Sequence, residues 1–337
     1  MSPRRRSTIA LIAVAALLCS LPAAAQDAEV PVKETYLDNG MKLLMVERHE
    51  SPTVTAGWVT RVGSVNEPVG TTGIAHLFEH MMFKGSRVIG TSDYEKEAEI
   101  IAKLDVLRLE MEAEYEAMRE AKRRGEITGS IYLPENQTER LAELREEMKV
   151  LQEQQKELIV KDEIDQIYTE AGASGMNAGT WQDGTMYFIT VPANKLELWF
   201  WMESERLLNA VFREFYTERD VVREERRMGV ESDPTAKFEE QFDAMFWGSV
   251  PYDHHILGWP SDVESISRDQ AERFFATYYA PNNITVAMVG DFDSEEALDL
   301  AKRYFGRIPR GETPPPPVVT EEIEQIAERR MIAHADT

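Results

Sequence analysis

Two histidines and a glutamate share one short stretch, His76-Leu77-Phe78-Glu79-His80, and no other feature constrains this chain as tightly. On a helix, residues four apart stand one above the other, so His76 and His80 can both reach a single metal ion. Glu79 lies beside them and can address a water held there, acting as general base. The histidine order is the reverse of the commoner His-Glu-x-x-His, and the set is the working apparatus of a zinc hydrolase. The ordinary alternative is a surface helix that happens to carry two histidines. It is weakened by scarcity, since the whole chain holds six.

The first residues have the pattern of a secretion signal: Arg4, Arg5 and Arg6, an apolar run from Ile9 to Leu21, then Ala23-Ala24-Ala25. Residues 1–25 are therefore expected to be cleaved, and the run is too short to argue for a permanent membrane span. Cys19 is the only cysteine. With Leu18 before it, lipid attachment is not expected, and the mature chain has no thiol for a disulfide, a metal or a nucleophile. The pattern points to a bacterial protein of the periplasm or the exterior. The formal charge is −23, or −26 once the three signal arginines are gone. Such a chain does not suit nucleic acid and favours neutral or basic substrates.

Strands are expected at Glu34–Leu37 and Met41–Arg48, joined by the hairpin signal Asp38-Asn39-Gly40, and at Thr53–Val62. The metal-binding helix follows at about Gly73–Phe83. Residues 92–161 are dense in Glu, Lys, Arg and Gln, with apolar positions Ile101, Leu104, Met111, Tyr115 and Met118, then Leu141, Leu144, Met148, Leu151 and Leu158. Those spacings, broken at Gly125, Gly129 and Pro134, predict a long antiparallel helical hairpin packed along its own seam, with Ser92 and Glu95 as a capping box. Gly172 to Thr180 begins as a flexible stretch, and Thr185–Val191 is an apolar strand. Helices are expected at Lys195–Leu208, with Trp199 and Phe200 in the core, at Thr217–Val230 and at Ser267–Tyr278. Ile284–Val289 is a buried strand, and Asp293 with Glu296 caps a last helix. The chain thus divides into residues 1–25, a body at 26–310 carrying the hairpin, and a proline-rich linker at 311–337 that begins a missing or truncated second domain.

A catalytic zinc takes three protein ligands and keeps one position for water, so two histidines require a third group. Glu218 and Glu225 are seven residues apart on one expected helix and return to nearly the same face, while Glu224 is turned by about 100°. The reading takes Glu225 as ligand and Glu218 as an auxiliary carboxylate. On spacing alone, a solvated charged face explains the same glutamates. His254 and His255 read as structural.

The chain resembles the insulinase, pitrilysin and mitochondrial processing peptidase family of inverted-motif zinc peptidases, over most of Lys33 to Pro309. The resemblance rests on His76 through Gly85 and on Asn177-Ala178-Gly179-Thr180 with Asp183, Thr185 and Tyr187. It rests also on the Glu218 and Glu225 pair and on Tyr279-Ala280-Pro281-Asn282-Asn283. It implies an α+β, processing-peptidase-like metallohydrolase fold, with an antiparallel-rich sheet packed by helices. It implies one Zn2+ per chain, held by His76, His80 and Glu225, with Glu79 activating water and Glu218 assisting. The strand at Asn177 and Ala178 would pair with an extended peptide substrate by β-augmentation. Two departures stand out: the hairpin is an insertion, and family enzymes close on substrate between two related halves. A homodimer or partner chain would then supply the opposing half. A lyase similar to S-ribosylhomocysteine lyase would need a cysteine that the mature chain lacks. A non-catalytic assembly subunit is the remaining alternative.

Overall fold

A computed structural model describes residues 30–334, so the expected signal segment lies outside the described residues. Six strands form one mixed sheet: β1 (Lys33–Tyr36), β2 (Lys42–Glu47), β3 (Thr53–Thr60), β4 (Ser174–Thr180), β5 (Thr185–Pro192) and β6 (Ile284–Gly290), in the order β1-β2-β6-β3-β5-β4. Every neighbouring pair is antiparallel except β2 with β6. The alternation read from β3 is kept, with Val54, Ala56, Trp58 and Thr60 turned inward. Trp58 stacks on Tyr187 of β5 with ring centroids 4.1 Å apart, directly across the β3–β5 register. The fold is the α+β arrangement that the sequence implies.

The metal-motif helix, α1 (Ile74–Met81), is buried on most sides, and Leu77 and Phe78 are fully enclosed. Phe78 packs edge-on to Phe212 and stacks on Phe274, so the helix is clamped between the sheet and the later helices. The charged segment forms α2 (Tyr94–Arg123) and α3 (Glu139–Lys156). They run antiparallel, since Arg140 pairs with Glu110 and Gln155 reaches back to Glu97. Ile101, Leu104, Met111, Tyr115 and Met118 meet Leu141, Leu144 and Met148 in the buried seam.

Three expectations change. The cap of α2 is Asp93, whose side chain accepts the Lys96 N–H, while Ser92 Oγ donates to Leu158 O instead. Ser92 is occupied in stitching the hairpin's entry to its exit, beside the Thr91 and Ile159 bridge, so the capping role falls one residue later. The start of the Gly172–Thr180 stretch, read as flexible, is already in the edge strand β4 from Ser174, because the N–H and C=O groups of β5 recruit it, while Asn177 and Ala178 lie on a strand as the resemblance implies. A helix that the sequence pattern did not signal, α4 (Glu163–Glu170), joins the hairpin to β4.

Two further helices complete the surroundings of the motif: α5 (Leu196–Leu208) and α6 (Phe215–Arg226), the latter running into a π-helical turn at Arg227–Glu231. Trp199 and Phe200 are fully buried, as their spacing predicts. Between them and the sheet sits an ionic cluster: the Glu203 carboxylate accepts from Trp58 Nε1, Tyr168 Oη and Arg206. The segment expected as a linker lies along the end of α7 (Pro234–Phe246), where the Glu322 carboxylate accepts the N–H groups of Gly248, Ser249 and Val250.

Candidate metal centre

The site begins with how α1 is started. Gly73 precedes it in the left-handed conformation (φ 91°), and a Cβ there would stand 2.8 Å from Leu257 O. Glycine cannot cap with a side chain, so the unpaired N–H groups of the first turn need an acceptor from elsewhere. Glu67 supplies it, its two oxygens accepting Gly73 N–H at 2.8 Å and Ala75 N–H at 2.7 Å. His254 Nε2 lies 3.2 Å from the same carboxylate and its Nδ1 meets Asp253. Full burial pushes the Glu67 carboxyl upward in pKa against these bonds. Sequence reasoning missed Glu67; the available signal was a carboxylate shortly upstream of a helix with no capping side chain of its own.

Held this way, α1 points both imidazoles to one side. His76 Nε2 and His80 Nε2 are 2.9 Å apart, and Glu225 Oε2 lies 3.3 Å from the first and 3.5 Å from the second. One ligand atom from each residue falls within 4.8 Å of the others. Ligand atoms at tetrahedral angles and about 2.0–2.1 Å from one zinc stand about 3.3–3.4 Å from each other. The spacing and the two-imidazole, one-carboxylate donor set fit that ion. Glu224, the neighbour that spacing alone could not exclude, turns outward to an exposed pair with Arg227.

Glu218 sits two turns before Glu225 on the same face of α6 and takes a different place. Its Oε1 is 2.9 Å from His80 Nδ1, and its other oxygen is 2.5 Å from Lys84 Nζ. A carboxylate on the far nitrogen leaves Nε2 free as a lone-pair donor and locks the ring. Burial disfavours the charged forms of both groups and is the largest single effect, but their mutual bond together with Lys84 beside Glu218, and with Glu225 and Glu79 beside His80, outweighs it, lowering the Glu218 pKa and raising that of His80. The Glu225 pKa is lowered chiefly by its bond to His76. The two histidines differ in support, for His76 Nδ1 is buried without a hydrogen-bond partner among the described residues.

The Glu79 Oε2 accepts from Thr180 Oγ1 at 2.6 Å. Thr180 closes β4, so the edge strand positions this carboxylate. Asn177 and Ala178 lie on the same strand, and the Ala178 N–H is capped by Asn177 Oδ1 at 2.9 Å. With Glu79, His80 and Glu218 they line one cavity of about 590 Å³. Five of the sequence-derived residues therefore share this cavity, His76 and Glu225 stand against His80 beside it, and Thr180, Lys84 and Glu67 bond to Glu79, Glu218 and the start of α1.

The insulinase (peptidase family M16) model matches residues 42–113, and the model of the M16 inactive domain matches residues 265–337. The zinc protease PqqE of Helicobacter pylori is 24% identical over 304 residues, which are 89% of this chain and 52% of that protein. The crystal structure of a protease from Helicobacter pylori superposes with a TM-score of 0.64 at 22% identity, covering 87% of this chain and 55% of that one. The periplasmic protease PqqL from Escherichia coli gives a TM-score of 0.58 at 20% identity, covering 85% of this chain and 25% of that one. The chain spans about half the length of the Helicobacter relatives it matches. With the inverted motif, the His-His-Glu group and this sheet in one molecule, the chain is similar to the insulinase family, peptidase family M16, whose two models match it at both ends of the described body.

Proposed function

We propose that this chain is the metal-binding half of a zinc-dependent endopeptidase that cuts peptides or small unfolded proteins. The convergence of His76, His80 and Glu225 beside the Glu79 carboxylate carries the reading. Those three residues would hold one zinc ion. When bound, zinc supplies a Lewis acid that lowers the pKa of water to about 7. Glu79, aimed by Thr180, takes the proton from the attacking water and returns it to the departing amine. Glu218 keeps His80 in the tautomer that leaves Nε2 free. The outer edge of β4 at Asn177 and Ala178 receives an extended peptide backbone beside Glu79.

Residues 26–310 form the metal-binding half in this proposal, and 311–337 lead toward a second. The coverage of about half of the Helicobacter relatives favours an opposing half supplied by another segment, a second copy or a partner chain. Export to the periplasm agrees with the signal-like start and with the periplasmic relative. Among the described residues, no helix is long and apolar enough to cross a membrane.

Glu79→Gln tests the assignment, because it keeps the shape and removes the base. The variant is expected to bind zinc as the parent does while cleavage of an unstructured peptide falls by about 10²–10⁴-fold. Undiminished turnover would reject Glu79 as the base. Stoichiometric zinc uptake with no cleavage by the parent, alone or with an added opposing half, would favour the assembly-subunit reading.

A further inference from the structure

The cavity beside Glu79 has a wall that the peptidase chemistry does not require. Its far side is Ile159 to Ile164, the segment by which the helical hairpin returns to the body of the fold. The opposite side is Glu79, His80 and the Asn177 and Ala178 edge, so a side chain of any peptide laid along β4 at this point enters space bounded by the insertion. The lining is mixed: Phe83, Ile159 and Val160 give it apolar surface, and its charged residues are five carboxylates against three cations.

Those charges are not equally free. Arg213 is buried and paired with Glu97, and Lys84 is shared between Glu214 and Glu218. The Glu163 carboxylate accepts the Gly90 N–H and that of Glu79 accepts from Thr180. Asp162 and Lys161 remain exposed at the mouth. Asp162 and Glu214 are the non-glycine residues with positive φ among the described residues, both at 53°, and both line this cavity. Backbone held in that region persists where the surroundings over-determine it, most often at functional sites.

We infer that this cavity is a specificity pocket for a long basic side chain, a substrate lysine or arginine, with Asp162 of the insertion as the residue that selects the charge. The aliphatic stem packs on the part-exposed Phe83, Ile159 and Val160, as amphipathic side chains do, and the cationic head meets the Asp162 carboxylate in a net acidic surround. The strongly acidic chain raises the local concentration of the same substrates. The inference rests on the proposed peptide cleft and adds its preferred substrate class. Lys161 makes an acidic side chain the rival occupant.

The test is a binding measurement, so it does not depend on turnover. Fluorescein-labelled peptides of Ala, Ser and Gly, with one test residue walked through successive positions, are titrated against the zinc-loaded Glu79→Gln protein by anisotropy. The test residue is Lys, norleucine or Glu; norleucine keeps the stem and lacks the charge. Lys is expected to bind about three- to fivefold more tightly than norleucine at one position, the range for a partly exposed ion pair. Asp162→Asn, which tolerates the same backbone conformation, is expected to abolish that ratio with zinc affinity unchanged. The ratio should also shrink as salt is raised, which a merely structural role for Asp162 would not produce. Peptides that bind without a Lys preference, a preference for Glu, or a Lys preference that survives Asp162→Asn each overturn the pocket and leave the peptidase reading standing. Zinc uptake with no peptide bound at all overturns both.

Discussion

The helical hairpin and the metal centre lie next to each other and are held by opposite kinds of force. Along the hairpin seam, Leu104, Met111, Leu141 and Leu144 interlock with no directional demand, and the outer faces carry exposed pairs such as Arg140 with Glu110. Around the metal centre, helix α1 depends on aimed bonds: Glu67 to its first N–H groups, Glu218 to His80, and Arg206 Nε to the Met82 carbonyl at its end. A buried ionic link joins the two regions. Glu97 of the hairpin meets Arg213, which also donates to the carbonyls of Lys84, Ser86 and Ile89 in the loop after the metal helix. A seam tolerates any apolar side chains of suitable volume, whereas an aimed bond fails when one atom moves. Further out, Arg108 donates to the Glu264 carbonyl, Gln152 to Thr217 and Arg268 to Asp105, so the insertion is held to the body by polar links away from the three metal donors.

Four substitutions probe that contrast. Glu97→Ala breaks the link and strands a buried guanidinium, so a loss of about 3–5 kcal/mol is expected in urea unfolding. A loss below about 1 kcal/mol would show that the three carbonyls alone satisfy Arg213. Leu144→Ala opens a void in the seam and is expected to cost about 2–5 kcal/mol while zinc affinity holds. If zinc affinity falls with it, the two regions are not separable as described. Glu218→Gln removes the charge behind His80 and is expected to weaken zinc about 10–100-fold by chelator competition. An unchanged affinity would mean that the ring needs no orienting carboxylate. Arg140→Ala touches only exposed pairs, with Glu110, Glu143 and Glu147, and thermal unfolding should register less than about 1 kcal/mol.

The legibility of the molecule followed the range of the interaction involved. The hairpin turn at Asn39-Gly40, the alternation of β3, the burial of Trp199 and Phe200 and the two-helix insertion are local patterns, and the periodicities 2 and 3.6 report them directly. The capping residue of α2 was misplaced by one because Ser92 is claimed by Leu158, a partner far along the chain. The start of β4 reads as flexible because its Gly-rich sequence has weak strand preference, and β5 supplies the hydrogen bonds that order it. Within the site, His76, Glu79 and His80 were visible as one motif, and the resemblance singled out Glu225 from a helix full of glutamates. Glu67 and Thr180 were not legible as supports, since each acts on α1 from a separate loop or strand.

By itself the sequence determined the donor types and their helical spacing, because side chains four apart on one helix share a direction wherever that helix is placed. It also determined the hairpin seam and the acidic charge, which are properties of order and composition. Only the tertiary structure decided which glutamate of α6 faces the imidazoles, that Glu67 caps the metal helix, and that the insertion's exit walls the cavity beside Glu79. Those outcomes depend on contacts between segments far apart in the chain, and no local periodicity encodes the angle at which α6 crosses α1.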